Sequence, residues 1–226
     1  MQLSSFTMQV LKNFATINSN IVIKPGNEIM TMSEAKNILG SAKVSETFGQ
    51  QFGIYDLSEF LSVLGLVGDP QLYFKDNYVD VRDTSGRGSI KYFFSDVAML
   101  TTPAKGITMP AANITFDLDE STLNKLKRAA SALGHSEVSI TASDNVIKLN
   151  VLDSENATSN TYTIEVDGTY DTEDFNFIVN INNLRLIPSD YKVQISSKLI
   201  SQFTSTNDQM DLTYWVALEK SSTYNA

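Results

Sequence analysis

The sequence repeats itself at low similarity, and this limits the folds open to it more than any other feature. Leu11-Lys12 aligns with Leu126-Lys127, 115 positions later, and Ile54 and Asp56 align with Ile178 and Asn180, 124 positions later. The nine extra residues fit in the polar, acidic stretch around Asp153–Asn160. Self-similarity on this scale points to duplication of a β-rich unit with two helices. A chain of 226 residues is then two domains of roughly 110 residues each. We expect an N-terminal domain over residues 1–110 and a C-terminal domain over 111–226. The connector at about 95–110 holds Pro103, Gly106 and Pro110, which break regular structure.

Periodicity fills in each half. A helix is predicted over Ser4–Asn18. At about 100° per residue, Leu3, Phe6, Val10, Phe14 and Ile17 share one side, and Ser5, Lys12, Ala15 and Ser19 face away. Strands follow at Asn20–Lys24, Glu28–Met32 and Phe48–Tyr55. A second helix spans Asp56–Val67, with Asp56 as N-cap and Leu57, Phe60, Leu61 and Leu64 as its apolar stripe. Strands Leu72–Lys75, Tyr78–Arg82 and Ser89–Phe94 complete the half. The second half opens with strand Asn113–Leu118. Its helix, Asp119–Leu133, stops at Gly134 and buries Leu123, Leu126, Ala130 and Leu133. Strands Glu137–Ala142, Val146–Leu152, Asn160–Val166 and Asp174–Val179 lead to a short helix, Asn180–Ile187, ended by Pro188. Strands Tyr191–Ser197, Leu199–Thr204 and Asp211–Leu218 close the chain. Tyr78–Arg82 and Leu199–Thr204 are expected near sheet edges. The class is α+β: two similar domains of antiparallel sheets, each with two helices.

The residues that enzymes use are scarce. There is no cysteine, which excludes disulfides, thiolate metal sites and cysteine nucleophiles. His135 is the single histidine, placed beside a helix end. Ser33-x-x-Lys36 matches a Ser–Lys motif but lacks its companion motifs, and Asp83–Gly86 reads as a turn. No glycine-rich phosphate loop occurs. Asp171, Glu173 and Asp174 lack the spacing and glycine of a calcium loop. The acceptor sequons at Asn113 and Asn156 matter only in a secreted protein, and no signal segment is visible. No apolar run approaches a membrane span. We expect no catalysis, no metal, no cofactor and no membrane.

Charge is uneven. Net charge is −9, and nearly all of the deficit lies after Pro110. Between Leu149 and Leu184 there are seven acids and no Lys or Arg. Yet Lys12 lies opposite the stripe of the first helix, Lys125 and Arg128 lie opposite that of the later one, and Lys127 lies on its flank. Arg185 belongs to the short third helix. Overall acidity argues against non-specific wrapping of nucleic acid. Repeated basic helix faces suit a ring whose inner wall touches duplex phosphates without reading bases.

Several segments then resemble one family. Leu11–Ser19 (LKNFATINS), Ile54–Leu57 (IYDL) leading to Phe60-Leu61, Phe175–Val179 (FNFIV) followed by Pro188 and Tyr191-Lys192, and Val216–Glu219 (VALE) are similar to the replication sliding clamps of T-even-type bacteriophages. Asp96, Pro103, Lys105, Ile107 and Pro110 resemble the linker of those clamps. The resemblance departs most at Ile29–Thr47 and Leu199–Asp211. It implies the DNA clamp fold and a ring-shaped homotrimer with helices lining the hole. It also implies an ATP-driven clamp loader, tethering of the DNA polymerase, and support of late transcription. These would act on double-stranded DNA in the cytoplasm of the infected bacterial host. The DNA-facing candidates are Lys12, Lys125, Lys127, Arg128 and Arg185. Candidate rim residues of a partner pocket are Val97, Met99, Leu100, Ile107 and Met109; packing of the linker on its own sheets is the competing reading. The rival function is a structural β-rich protein of a virion or other assembly. A ligand-binding β protein would want an aromatic cleft, whereas Trp215 lies in an alternating strand.

Overall fold

The computed structural model describes residues 1–85, 87–156, 158–172 and 174–225. Gly86 of the Asp83–Gly86 turn, Ala157 of the second sequon and Glu173 of the acidic trio lie outside the described residues. The chain divides into two compact units, residues 1–106 with 210–212, and residues 107–209 with 213–226.

The first unit begins with helix α1, Ser5–Ile17. Ser4 is extended and its Oγ accepts the Thr7 N–H at 3.1 Å, so one orphan donor of the first turn is satisfied. Val10, Leu11, Phe14 and Ile17 are buried. Strand β1, Ile21–Ile23, is followed by β2, Gly26–Met32, and by the long β3, Ile38–Phe48, which pairs antiparallel with β2. Strand β4, Phe52–Ile54, pairs with β1. Helix α2, Leu57–Leu66, starts where Asp56 Oδ1 accepts the Glu59 N–H at 2.9 Å. Strands β5, Gln71–Phe74, β6, Tyr78–Arg82, and β7, Ser89–Phe93, form a three-stranded antiparallel sheet in that order. Its inner face buries Leu72, Val79 and Val81, and the Tyr92 ring meets Phe60 of α2 edge-on, 5.0 Å between centroids.

The second unit begins with β8, Ile114–Leu118, and helix α3, Glu120–Leu133. Asp119 Oδ1 accepts the Thr122 N–H at 2.6 Å, and Gly134 ends the helix at φ 71°, where a Cβ would be strained. Then come β9, Glu137–Ser143, β10, Val146–Leu152, β11, Tyr162–Val166, β12, Gly168–Tyr170, and β13, Phe175–Asn180. Strands β14, Tyr191–Ser196, β15, Ile200–Ser205, β16, Leu212–Ala217, and the two-residue β17, Thr223–Tyr224, complete it. One sheet runs β11-β10-β9-β13-β17, and α3 lies on β10 and β11. A second runs β12-β8-β14-β15-β16. The two approach at Gly168, where an added Cβ would stand 2.4 Å from the Thr115 carbonyl oxygen and 2.7 Å from Ile147 Cδ1.

Three local expectations are corrected. The strand expected over Phe48–Tyr55 is two strands, β3 and β4, separated by Gly49–Gln51. The helix expected over Asn180–Ile187 is a single 3-10 turn, Ile181–Asn183. The Asn180 side chain caps Asn182 N–H at 3.0 Å, but two asparagines in a row are weak helix formers. Ile187, which precedes Pro188 and is biased away from the helical region, is also pinned from both sides. Its N–H donates to Tyr214 Oη at 3.3 Å and its carbonyl accepts from Tyr191 Oη at 2.5 Å. Finally, β6 and β15 are interior strands with a neighbour on each side, not edges.

Candidate nucleic-acid interface

Helices α1 and α3 occupy matching places in the repeat, and each turns its polar face away from its sheets. Lys12 is exposed on α1; Lys125 and Arg128 are exposed on α3. Among the described residues none of the three forms an ion pair; the two pairs seen are Lys43–Asp211 and Arg82–Asp80. Lys127 is half-buried, as a flanking position should be, and burial pushes its ammonium pKa down. It lies in an open groove with Ser121, Asn124, Arg128 and Ser131, and in a neighbouring one with His135 and Asn182. The neutral donors Ser121, Asn124, Ser131 and Asn182 were not singled out in the sequence. Serine and asparagine on a polar helix face carry no signal that separates binding from solvation.

Arg185 is exposed, but not on a helix. It follows the 3-10 turn in chain without regular secondary structure, and its Nε donates back to the Asn182 carbonyl at 3.2 Å. The alternation of buried Leu184, exposed Arg185 and buried Leu186 suits an extended segment as well as a helix, which is why the sequence misled.

The connector divides between the two units. Val97, Met99 and Leu100 belong to the first; Ile107 and Met109 belong to the second. Ser95 N–H donates to the Gly53 carbonyl at 2.9 Å, and a 3-10 turn spans Val97–Met99. Leu100 is buried on Gly53, where an added Cβ would stand 2.6 Å from Leu100 Cδ1 and 2.9 Å from the Ser95 oxygen. Val97 packs half-buried beside it. Met99 is 77% exposed and Ile107 38%; Met109 is half-buried. Lys24 Nζ donates to the Pro103 carbonyl at 3.1 Å and fastens the middle of the segment.

Other residues weighed for chemistry have local structural duties. Ser33 and Lys36 form a turn between β2 and β3, closed by Lys36 N–H on the Ser33 carbonyl at 2.9 Å. His135 Nε2 meets the Asn160 carbonyl at 2.9 Å. Asp171 Oδ2 accepts from Asn113 Nδ2 and from Tyr224 Oη, both at 2.8 Å. Burial alone would raise its carboxyl, but these hydrogen bonds outweigh it and hold the pKa below the ordinary value.

Comparison with known proteins places this arrangement. Residues 4–77 match the family described as DNA polymerase processivity factor, and residues 115–220 the family described as gp45 sliding clamp, C terminal. A protein named Sliding clamp from Vibrio phage KVP40 is 31% identical, covering 97% of this chain and 99% of its own. The Sliding clamp of Enterobacteria phage T4 is 31% identical over the whole of both chains, and that of Escherichia phage RB69 29% identical over the whole of both. Among solved structures, the Proliferating Cellular Nuclear Antigen of Entamoeba histolytica gives a TM-score of 0.70 at 13% identity over 95% of each chain. PCNA of Thermococcus kodakaraensis gives 0.70 at 12%, over 94% of this chain and 95% of that one. The last two show the clamp fold alone. None of these matches supports the virion-protein alternative. With its duplicated units, basic helices and full-length relatives, the chain belongs to the sliding clamps of bacteriophages, the processivity factors of DNA polymerase.

Proposed function

We propose that the chain works as a closed homotrimer around duplex DNA, with the exposed faces of α1 and α3 toward the phosphates. Residues 1–110 and 111–226 act as its two clamp domains. The observation that carries the reading is the recurrence of exposed cations that form no ion pair among the described residues, Lys12 on α1 and Lys125 and Arg128 on α3, in a chain of net charge −9. Lys127 and Arg185 add to that face. A closed ring leaves DNA only by opening, so sparse and mobile phosphate contacts suffice and strong ones would hinder sliding. The chain performs no bond chemistry and needs no cofactor. An ATP-driven loader opens the ring in the cytoplasm of the infected bacterium, and the DNA polymerase docks through a short peptide with apolar anchors. Met99 and Ile107, the exposed apolar side chains of the connector, are the first candidates for that docking, with Val97 and Met109 beside them. The same surface supports late transcription.

The test replaces Lys12, Lys125 and Arg128 by alanine together. All three are exposed, so stability should change by less than ~0.5 kcal/mol. The native mass should be unchanged. Retention on an end-blocked or circular duplex, with loader present, should fall, and the defect should deepen as salt rises because fewer phosphate contacts resist counterion competition. Equal retention of variant and parent at low and high salt would return these residues to an ordinary solvated face.

A further inference from the structure

The two units offer an internal comparison. On one face of the second, Gln194 of β14, Gln202 of β15 and Trp215 of β16 stand in register. The row is closed: Trp215 Nε1 donates to Gln202 Oε1 at 2.8 Å, and Gln202 Nε2 donates to Gln194 Oε1 at 3.2 Å. The corresponding sheet of the first unit sets Tyr73 of β5, Asp80 of β6 and Lys91 of β7 in register. This row is open. Asp80 is 5% exposed, and its Oδ2 accepts from Arg82 Nε at 2.8 Å and from Arg82 Nη2 at 2.6 Å. Its Oδ1 is buried and has no hydrogen-bond partner among the described residues. Native structures leave few buried polar atoms in that state, because the missing bond is costly.

Large side chains crowd the same face. Phe93 is 62% exposed and Tyr73 46%, and the Phe93 ring lies 5.5 Å from that of Tyr78. The Arg82 guanidinium stands 4.9 Å over the Tyr73 ring, and Lys91 Nζ 5.4 Å over that of Tyr78. Exposed aromatics and two cations on one sheet face suit a binding surface better than a solvated one.

We propose that this face docks a short acidic segment of a partner protein that carries aromatic or aliphatic side chains. Its carboxylates meet Arg82 and Lys91, and its apolar groups lie on Tyr73, Tyr78 and Phe93. Arg82 and Lys91 outnumber Asp80 among these residues, and this local excess of one positive charge, on a chain of net charge −9, supplies the charge complementarity. Size supplies the rest. Three strands of four or five residues span about 17 Å by 14 Å, roughly 240 Å² against the ~800 Å² per partner of a stable subunit interface. The surface suits a peptide better than a second copy of the chain. The proposal does not depend on how the chain meets DNA.

The test uses the native full-length chain and two fluorescein-labelled synthetic peptides, DFELDFELD and its basic counterpart KFKLKFKLK. Anisotropy should show binding of the acidic peptide alone. Phe93→Ser and Lys91→Glu, both at exposed positions, should each weaken it by about tenfold or more, with native mass unchanged. The Asp80 side-chain carboxyl resonance should shift on addition of the acidic peptide, while emission from Trp215, in the closed row, should not. Equal affinity of parent and both variants, or equal binding of the two peptides, would overturn the proposal. So would a change of native mass in the variants, because the face would then be a contact between copies.

Discussion

At position 46 a glutamate stands where the inward row of β3, Ala42, Val44 and Phe48, calls for an apolar residue. Its carboxylate accepts from the Ser4 N–H and from the Ser4 hydroxyl, and from Thr7 Oγ1 at 2.5 Å, so it receives the first turn of α1. Burial alone would raise its pKa; the bonds from Thr7 and Ser4 outweigh that and hold it below the ordinary 4.5. A lowered folded pKa means that the carboxylate's contribution is fully present above about pH 4.5 and is lost as pH falls through the lower folded value. Glu46→Gln should therefore flatten the acid limb of a stability–pH curve, measured by thermal unfolding from pH 7 to pH 3. Parallel curves would show that the cap is not coupled to folding. Glu46→Ala, which strands the Ser4 and Thr7 donors, should cost about 1–3 kcal/mol at pH 7 in urea unfolding. Gly168→Ala tests a close approach instead. The new methyl meets a backbone carbonyl of β8, which cannot swing aside, so a loss of about 1–3 kcal/mol is expected in the same assay. These sites were invisible beforehand because both depend on a residue far away in sequence.

Among elements, the connector gives the sharpest expectation. Met99→Ala with Ile107→Ala should weaken binding of a polymerase-derived peptide by ~1–3 kcal/mol in calorimetry, the scale of a lost apolar anchor, while native mass stays the same. Unchanged affinity would move the pocket elsewhere. Leu100 would be the wrong residue to test, because it holds the segment down on Gly53. Elements with a local cause were legible in the sequence. Asp56 caps α2 and Gly134 stops α3 as the sequence reads, and the centres of the three stripes are buried, although Leu3, Phe6, Leu61 and Leu133 are only half-buried and Leu11 joins the buried side of α1. β3 was missed because Glu46 interrupts its apolar alternation, and β12 and β17 because two or three residues carry no period. The helix expected at Asn180 failed for a tertiary reason: Tyr191 and Tyr214 reach the Ile187 backbone from later strands.

At the scale of the whole molecule the proposed homotrimer should appear as one species of threefold mass in light scattering across a concentration series. A monomer or dimer at tens of micromolar would leave the ring without support. The basic faces of α1 and α3 could be read from sequence because amphipathic helices sort charge by position. Which strands lie at edges could not, since pairing order is a property of the sheet and not of the strand. The repeat, too, is less even in space than in sequence. Among the described residues the first unit has two α-helices, whereas the second has one and a 3-10 turn in the other's place. In a ring of three such chains, α1 and α3 would alternate as near equivalents, but α2 would recur only three times. A duplex turning inside would then feel a threefold energy landscape rather than a sixfold one. Its resting positions would repeat every third of a turn, about 3.5 base pairs of travel along the groove.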